Sequence, residues 1–129
     1  MGDRSAIYII QNNEQFIEIY SHWEGEDIIK KLPTALSVAK DRWDDLEYFN
    51  RILIQNILDS IVSKDTNTGA GISIRATETD FDSKHLDNPA IVVDPKDCMV
   101  YRLDQKEDRI YSFDYVINTP EDFLKEIWA

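Results

Sequence analysis

The stretch SAIYIIQNNEQFIEIY, residues 5–20, decides the fold that this sequence predicts. Its two halves are rich in isoleucine and aromatic residues, which favour β-strands, and Asn12-Asn13 between them is typical of a turn. We therefore predict an antiparallel hairpin. Because side chains alternate along a strand, Ile17 and Ile19 would share the face of the second strand that meets the core.

The residues just outside this hairpin are the most unusual in the chain. GDR, residues 2–4, precedes the first strand, and IYSHWEG, residues 19–25, ends the second. Because one antiparallel strand begins where its neighbour ends, the hairpin would deliver Arg4, His22 and Trp23 to adjacent strand ends. No catalytic signature accompanies them, so motifs alone indicate a small α+β domain and no particular activity.

Length and composition predict one globular domain, residues 1–129. A chain of this size buries roughly two thirds of its unfolded surface, and 43% hydrophobic residues argue against disorder. No apolar run approaches a membrane span, and the N-terminus lacks the layout of a signal peptide, so we expect a cytoplasmic protein. The single cysteine, Cys98, excludes an internal disulfide and is expected to be a small buried residue.

The formal net charge is −11, from 25 acidic and 14 basic residues. This balance speaks against direct binding to nucleic acid, which needs a basic surface. The acids are dispersed, with denser stretches at residues 41–47 and 78–97. They are interpreted first as solubilising, and the alternative is a mimic that presents carboxylates at phosphate-like spacing.

Helical periodicity is strongest at residues 44–63, where apolar residues recur at steps of three and four. Asp44 or Asp45 would cap this helix. A helix after the first hairpin is expected to break at Pro33, which lacks a hydrogen-bond donor, and to resume as a second piece through Ala39. Thr119 and the proline after it predict the start of a C-terminal helix.

Further strands are predicted at residues 70–75, at residues 90–94 and 99–103 as a second hairpin, and at residues 109–115. Residues 77–89 are polar and are expected to form a long surface loop. The predicted fold class is α+β. We expect an antiparallel sheet of about five to six strands packed against one long central helix, with shorter helices after the first hairpin and at the C-terminus.

Residues able to support catalysis or to bind metal fall in no recognisable pattern. The possible metal ligands are His22, His85, Cys98, Asp80 and Asp82, and none has ligand spacing. TGAG, residues 68–71, is too short for a phosphate loop and precedes a strand. A serine precedes His22, but adjacent side chains point to opposite faces of a strand. We predict no catalytic residue, no metal and no cofactor, and therefore no enzyme.

Non-covalent binding needs less machinery than catalysis does. An indole such as that of Trp23 can stack on a nucleobase while arginines pair with phosphates. For any one arginine, a surface ion pair is the favoured interpretation, and for Trp23 a core edge is favoured over a ligand platform. The predicted ligand-binding residues are Arg4, His22, Trp23, Arg75, Arg102 and Arg109.

The two opening motifs carry a resemblance to a family. GDR before a strand, then IYSHWEG, resembles small phage and prophage proteins that begin with Gly-Asn-Arg and carry a Tyr-x-His-Trp-x-Gly strand end. TGAGI, residues 68–72, and IVVD, residues 91–94, resemble later landmarks of that family. This sequence departs from the pattern with Asp3 where Asn is usual and Glu24 where Asn is common.

The resemblance implies a phage counter-defence protein that acts by non-covalent binding in the host cytoplasm. The first hypothesis is sequestration of a cyclic or ADP-ribose-derived nucleotide signal, in a homo-oligomer whose interface closes the pocket. The second is an acidic, anti-CRISPR-like inhibitor that occupies the nucleic-acid groove of a host defence nuclease. The third is a small nucleotide-processing enzyme that uses His22 and a carboxylate. The expected partners are thus a nucleotide messenger or a host defence protein, with neither nucleic acid nor membrane bound directly.

Overall fold

The computed structural model describes residues 2–59, 61–63, 65–76, 86–105, 107, 109–114 and 119–128. The strands are β1 Ser5–Ile10, β2 Phe16–Ser21, β3 Gly71–Arg75, β4 Ile91–Asp94, β5 Met99–Arg102 and β6 Tyr111–Ser112, and the helices are α1 Gly25–Ala39, α2 Leu46–Leu58 and α3 Pro120–Trp128. Short 3-10 helices cover Lys40–Arg42 and Leu103–Gln105. Residues 77–85, which hold most of the predicted long loop and the candidates Asp80, Asp82 and His85, lie outside the described residues, as does residue 115 of the last predicted strand.

The strands form one sheet in the order β3-β2-β1-β4-β5-β6, which confirms an α+β fold. The prediction of a purely antiparallel sheet was wrong, because β1 and β4 pair in parallel, with Ile7 opposite Ile91 and Ile9 opposite Val93. Both strands are almost continuously apolar and buried, as central strands covered on both faces must be. The long excursion through α1, α2 and β3 lets the chain return beside β1 in the same direction.

The main core lies between the sheet and the three helices. Inward side chains of the central strands, such as Ile7, Ile9 and Val93, join buried residues of α1, α2 and α3 in one cluster. A second, smaller apolar cluster around Tyr8 and Val92 lies on the opposite face of the sheet. The predicted alternation along β2 is confirmed, since Ile19 belongs to the first cluster and Phe16 to the second.

Helix α1 contradicts the predicted break at Pro33. It runs unbroken for 15 residues with Pro33 inside it, and it is longer than α2, which has 13. An internal proline costs about 3 kcal/mol. Ile29, Leu32 and Leu36, on the turns around Pro33, are fully buried, and each contributes roughly 1.5–3 kcal/mol when removed from water. Burial on both sides of the proline therefore outweighs its cost.

The helix predicted for residues 44–63 exists as α2 but is shorter, because it ends at Leu58. Asp45 occupies its N-cap position, but the predicted cap does not form, because its side chain makes no capping hydrogen bond. The C-terminal helix agrees with prediction in detail. The Asp122 amide donates to Oγ1 of Thr119 at 3.2 Å, and the Thr119 amide donates back to the Asp122 carboxylate. Residues of the last predicted strand pair only at Tyr111–Ser112 within the part of the chain described.

Alanine substitutions at two glycines test how closely the start of α1 packs against the residues at the start of β1. A Cβ on Gly25 would overlap the Asp3 carbonyl oxygen and lie 2.8 Å from both Cβ and N of Ser5, whereas a Cβ on Gly71 would meet nothing within 4 Å. We expect Gly25→Ala to lower the free energy of unfolding by about 1–3 kcal/mol or more. Gly71→Ala is expected to change it by no more than about 0.5 kcal/mol. Urea denaturation measures both, and equal effects of the two substitutions would contradict this account of the packing.

Candidate functional site

Backbone hydrogen bonds join the residues just before β1 to the residues just after β2. The Asp3 amide donates to the His22 carbonyl at 2.8 Å, and the Gly25 amide donates to the Asp3 carbonyl at 2.7 Å. Residues 2–4 therefore lie alongside residues 22–25. This is the meeting of strand ends that the hairpin predicts.

We call the resulting surface the strand-end site, formed by Arg4, Tyr20, His22, Trp23 and Asp87. Arg4 and His22 flank Gly2, because a Cβ on that glycine would lie 3.1 Å from His22 Nε2 and 3.3 Å from Arg4 Cγ. Nδ1 of His22 lies 3.1 Å from the Tyr20 hydroxyl oxygen. The His22 and Trp23 rings meet edge to face with centroids 4.4 Å apart. The Trp23 side chain is not a core edge, since the residue is 57% exposed.

Arg4 is held in place by Asp87. Its Nε donates to Asp87 Oδ2 at 3.0 Å and its backbone amide donates to the same oxygen at 2.8 Å. These hydrogen bonds raise the pKa of Arg4 and lower the pKa of Asp87. The backbone amides of Asp87 and Asn88 both donate to the Arg4 carbonyl. The guanidinium is thus oriented at the surface by a carboxylate partner.

The other three predicted arginines do not join this site. Arg75 pairs with Glu18 at 3.0 Å and lies opposite Phe16, at the far end of β2 from His22. Arg109 lies 3.6 Å from an Asp94 carboxylate oxygen and stacks over the Tyr101 ring.

Arg102 lies toward the same end of the sheet as Arg4, but two strands away on β5. It donates to the Ile127 carbonyl near the end of α3 at 2.8 Å and to Asp104 at 2.8 Å. Its visible role is to hold the C-terminal helix against the sheet edge.

Sequence reasoning missed three residues that build the site. Asp87 and Asn88 lie near the end of the predicted polar loop, and Asn88 donates to Asp3 Oδ1 at 2.7 Å. Glu24 accepts hydrogen bonds from the Val62 amide, at 2.8 Å, and from the Ser63 hydroxyl. These hydrogen bonds join residues that are 38 or more positions apart in sequence, so no local sequence pattern predicts them.

The side chain of Ser21, the residue before His22, forms a structural hydrogen bond. Ser21 is buried, and its Oγ accepts a hydrogen bond from the Glu24 amide at 3.0 Å, at the entry to α1. Cys98 is also buried, as expected, and burial raises the pKa of its thiol. Across the described ranges, no group of three or more His, Cys, Asp or Glu side chains is placed to hold a metal ion.

A second surface with chemical character lies at the opposite end of the sheet. A cavity of about 580 Å³ lies between the β1–β2 turn, the start of α2 and the β4–β5 turn, with Trp43 in its wall. Four carboxylates line it together with Lys96, and three more lie on the adjoining surface around the start of α2. We call this surface the acidic end, and its members are Glu14, Asp41, Asp44, Asp45, Glu47, Asp94 and Asp97. Burial raises the pKa of Asp94.

Comparisons with protein-family models, with curated proteins and with solved structures find no match to this chain. No helix among the described residues combines the length and apolar character needed to cross a membrane.

The role of Glu24 predicts a pH-dependent stability. The Ser63 hydroxyl and the Val62 amide lower the pKa of Glu24, so this carboxylate stabilises the fold above its unfolded pKa and loses that effect as the pH falls through its folded pKa. We expect Glu24→Gln to lower the free energy of unfolding by about 1 kcal/mol at pH 7. The difference from wild type should shrink on acidification through that range.

The control is Glu126→Gln, which removes the same charge from an exposed position on α3. Urea denaturation at a series of pH values measures both variants. A Glu24→Gln deficit that stays constant from pH 7 into the acid range would contradict the assigned hydrogen bonds.

Proposed function

We propose that this protein is a phage or prophage counter-defence protein that sequesters a cyclic or ADP-ribose-derived nucleotide signal at the strand-end site. The observation that supports this proposal is the exposed Trp23 indole beside His22 and Arg4 on one surface. Binding is non-covalent, and the ligand leaves chemically unchanged.

The side chains of the site match the two parts of a nucleotide. An exposed indole can stack on any nucleobase. Each such stacking contact contributes about 1–3 kcal/mol to the binding free energy. A guanidinium can bind a phosphate through two parallel hydrogen bonds. The edge-on contact with His22 orients the indole while leaving more than half of Trp23 exposed.

Asp87 is the competitor that a phosphate has to displace. The Arg4 and Asp87 side chains are 36% and 39% exposed, and an ion pair of that exposure contributes little to stability. A phosphate carries similar or greater negative charge and offers the same hydrogen-bond geometry. Exchange of one anionic partner for another at Arg4 is therefore inexpensive.

Replacing Trp23 tests the stacking. We expect Trp23→Ala to weaken nucleotide binding roughly 5- to 150-fold, the equivalent of about 1–3 kcal/mol. The control is Trp43→Ala, which removes another partly exposed indole at the opposite end of the sheet. Calorimetric titration with cyclic dinucleotides and cyclic ADP-ribose measures affinity, and mass spectrometry of the recovered ligand checks that it is intact. Equal affinity of wild type and Trp23→Ala would remove the proposal, and turnover lost in His22→Ala would favour the enzyme instead.

The competitor role of Asp87 gives a second, opposite prediction. Asp87→Asn keeps an oxygen that can accept from the Arg4 amide but removes the charge that occupies the guanidinium. We expect this variant to bind the same nucleotide more tightly than wild type does, and Arg4→Gln to bind it more weakly. Loss of affinity in Asp87→Asn would show that the carboxylate, and not Arg4 alone, contacts the ligand.

The acidic end supports a second candidate function, the inhibitor that occupies a nuclease groove. Three stretches that are distant in sequence, the β1–β2 turn, residues 41–47 and residues 94–97, place seven carboxylates on adjoining surfaces. Such a concentration is what a mimic of a phosphate backbone requires, and it would bind a basic groove with strong salt dependence.

A salt titration separates this candidate from nucleotide sequestration. The probe is a nucleic-acid-binding defence nuclease, with inhibition measured at increasing salt. If the acidic end binds the groove, Asp44→Asn combined with Asp97→Asn should weaken inhibition several-fold at low salt, whereas Glu126→Gln should not. Inhibition that is insensitive both to salt and to the double substitution would exclude the mimic.

A further inference from the structure

We propose that strand β3 is the interface of a symmetric homodimer, in which β3 of one copy pairs antiparallel with β3 of another around Ser73. The two sheets would then form one continuous sheet of twelve strands. The pairing uses the outer edge of β3 and does not depend on nucleotide binding at the strand-end site.

Strand β3 is an outer strand with an unusual surface. It pairs with β2 on one side, and none of the described strands pairs with its other side. Its two isoleucines are exposed, Ile72 by 53% and Ile74 by 61%. Outer strands are normally protected by charge, proline or a bulge, because their free backbone groups recruit other strands. In β3, by contrast, two apolar side chains are exposed at the edge.

Both isoleucines lie on the helix side of the sheet. Ile72 is opposite Ile19 and Ile74 is opposite Ile17, and these β2 residues belong to or pack against the core beneath the helices. The exposed pair therefore continues the apolar layer of the main core past the sheet edge. A strand added there would extend that layer.

The sequence of β3 fits a second copy of itself. GISIR, residues 71–75, is apolar at the two positions that flank Ser73. When two copies pair antiparallel about Ser73, each Ile72 faces the partner's Ile74 on the helix side. All five residues of each strand are then paired. Direct cross-strand contacts between β-branched side chains are among those that stabilise sheets.

Local charge also favours a second copy at this edge. The chain carries a net charge of −11, so two copies repel each other over most of their surface. Residues 66–76 contain no acidic residue and one arginine. The edge at β3 is therefore a place where two identical acidic molecules can approach with little repulsion.

The symmetric pairing has a consequence for the strand-end site. Gly71 pairs with Tyr20, which contacts His22. In the dimer, the partner's Arg75 lies opposite Gly71, on the face that carries Tyr20. The second copy thus brings its Arg75, which is paired with Glu18, toward the end of the sheet that carries the strand-end site.

Molecular mass in solution tests the dimer. Light scattering behind size-exclusion chromatography should give twice the chain mass of 15.0 kDa for wild type. Ile72→Lys combined with Ile74→Lys should give the monomer mass, because a charge at each position blocks the edge. The control is Val38→Lys, a residue of α1 that is equally exposed at 53%, and it should remain dimeric. A wild-type monomer, or a dimer that survives the double substitution, would overturn the proposal.

Cross-linking tests the register. Facing residues of antiparallel strands have Cα atoms roughly 4.5–5.5 Å apart, within the range of about 4.4–6.8 Å that a disulfide spans. Oxidised Ser73→Cys should therefore yield a covalent dimer, whereas Ile72→Cys should yield far less, since it faces residue 74 of the other copy. Preferential cross-linking of Ile72→Cys would overturn the register around Ser73. Cys98 is buried and present in both variants.

Discussion

The parallel pairing of β1 with β4 is the constraint on which the rest of the structure depends. β1 lies between β2 and β4 and carries apolar side chains on both faces, so both faces must be covered, and five of its six residues are buried. The three helices cover one face, and the smaller apolar cluster around Tyr8 lies on the other face. The same pairing positions residues 87 and 88 beside Arg4, just before β4 begins. The pairing of β1 with β4 therefore determines both the order of the central strands and the position of Asp87 beside Arg4.

Local sequence was sufficient wherever a structure is decided by neighbours along the chain. The hairpin of residues 5–20, the capped start of α3 and the meeting of Arg4 with His22 and Trp23 all follow from alternation, turn chemistry or capping. The parallel strand pair could not be predicted in this way, because Ile7 and Ile91 become neighbours only after the whole chain has packed. Pro33 was misjudged for a related reason. Its local cost is predictable, but the burial that offsets it is tertiary.

The candidate ligand residues do not all lie together, because they were grouped by residue type and not by position in the sheet. Arg75 and Arg109 lie toward the opposite end of the sheet from Arg4 because strand register places them there. Each also has a nearby carboxylate, as expected in a chain with an excess of acids. In such a chain, the presence of an arginine indicates little about anion binding. What matters is whether its carboxylate partner is exposed enough to be exchanged.

This criterion distinguishes Arg4 from Arg102. The Arg102 side chain is only 11% exposed and holds the end of α3 as well as Asp104, so a ligand phosphate would have to break a contact of the fold. The Arg4–Asp87 pair is exposed on both sides, while the segment beneath it is fixed by backbone hydrogen bonds between residues 3, 22 and 25. A surface that can exchange the guanidinium contact while Asp87 keeps its hydrogen bond from the Arg4 amide is suited to reversible binding. Catalysis would require more, since a nucleophile or base must face the reacting atom, and the serine beside His22 is already committed to the start of α1.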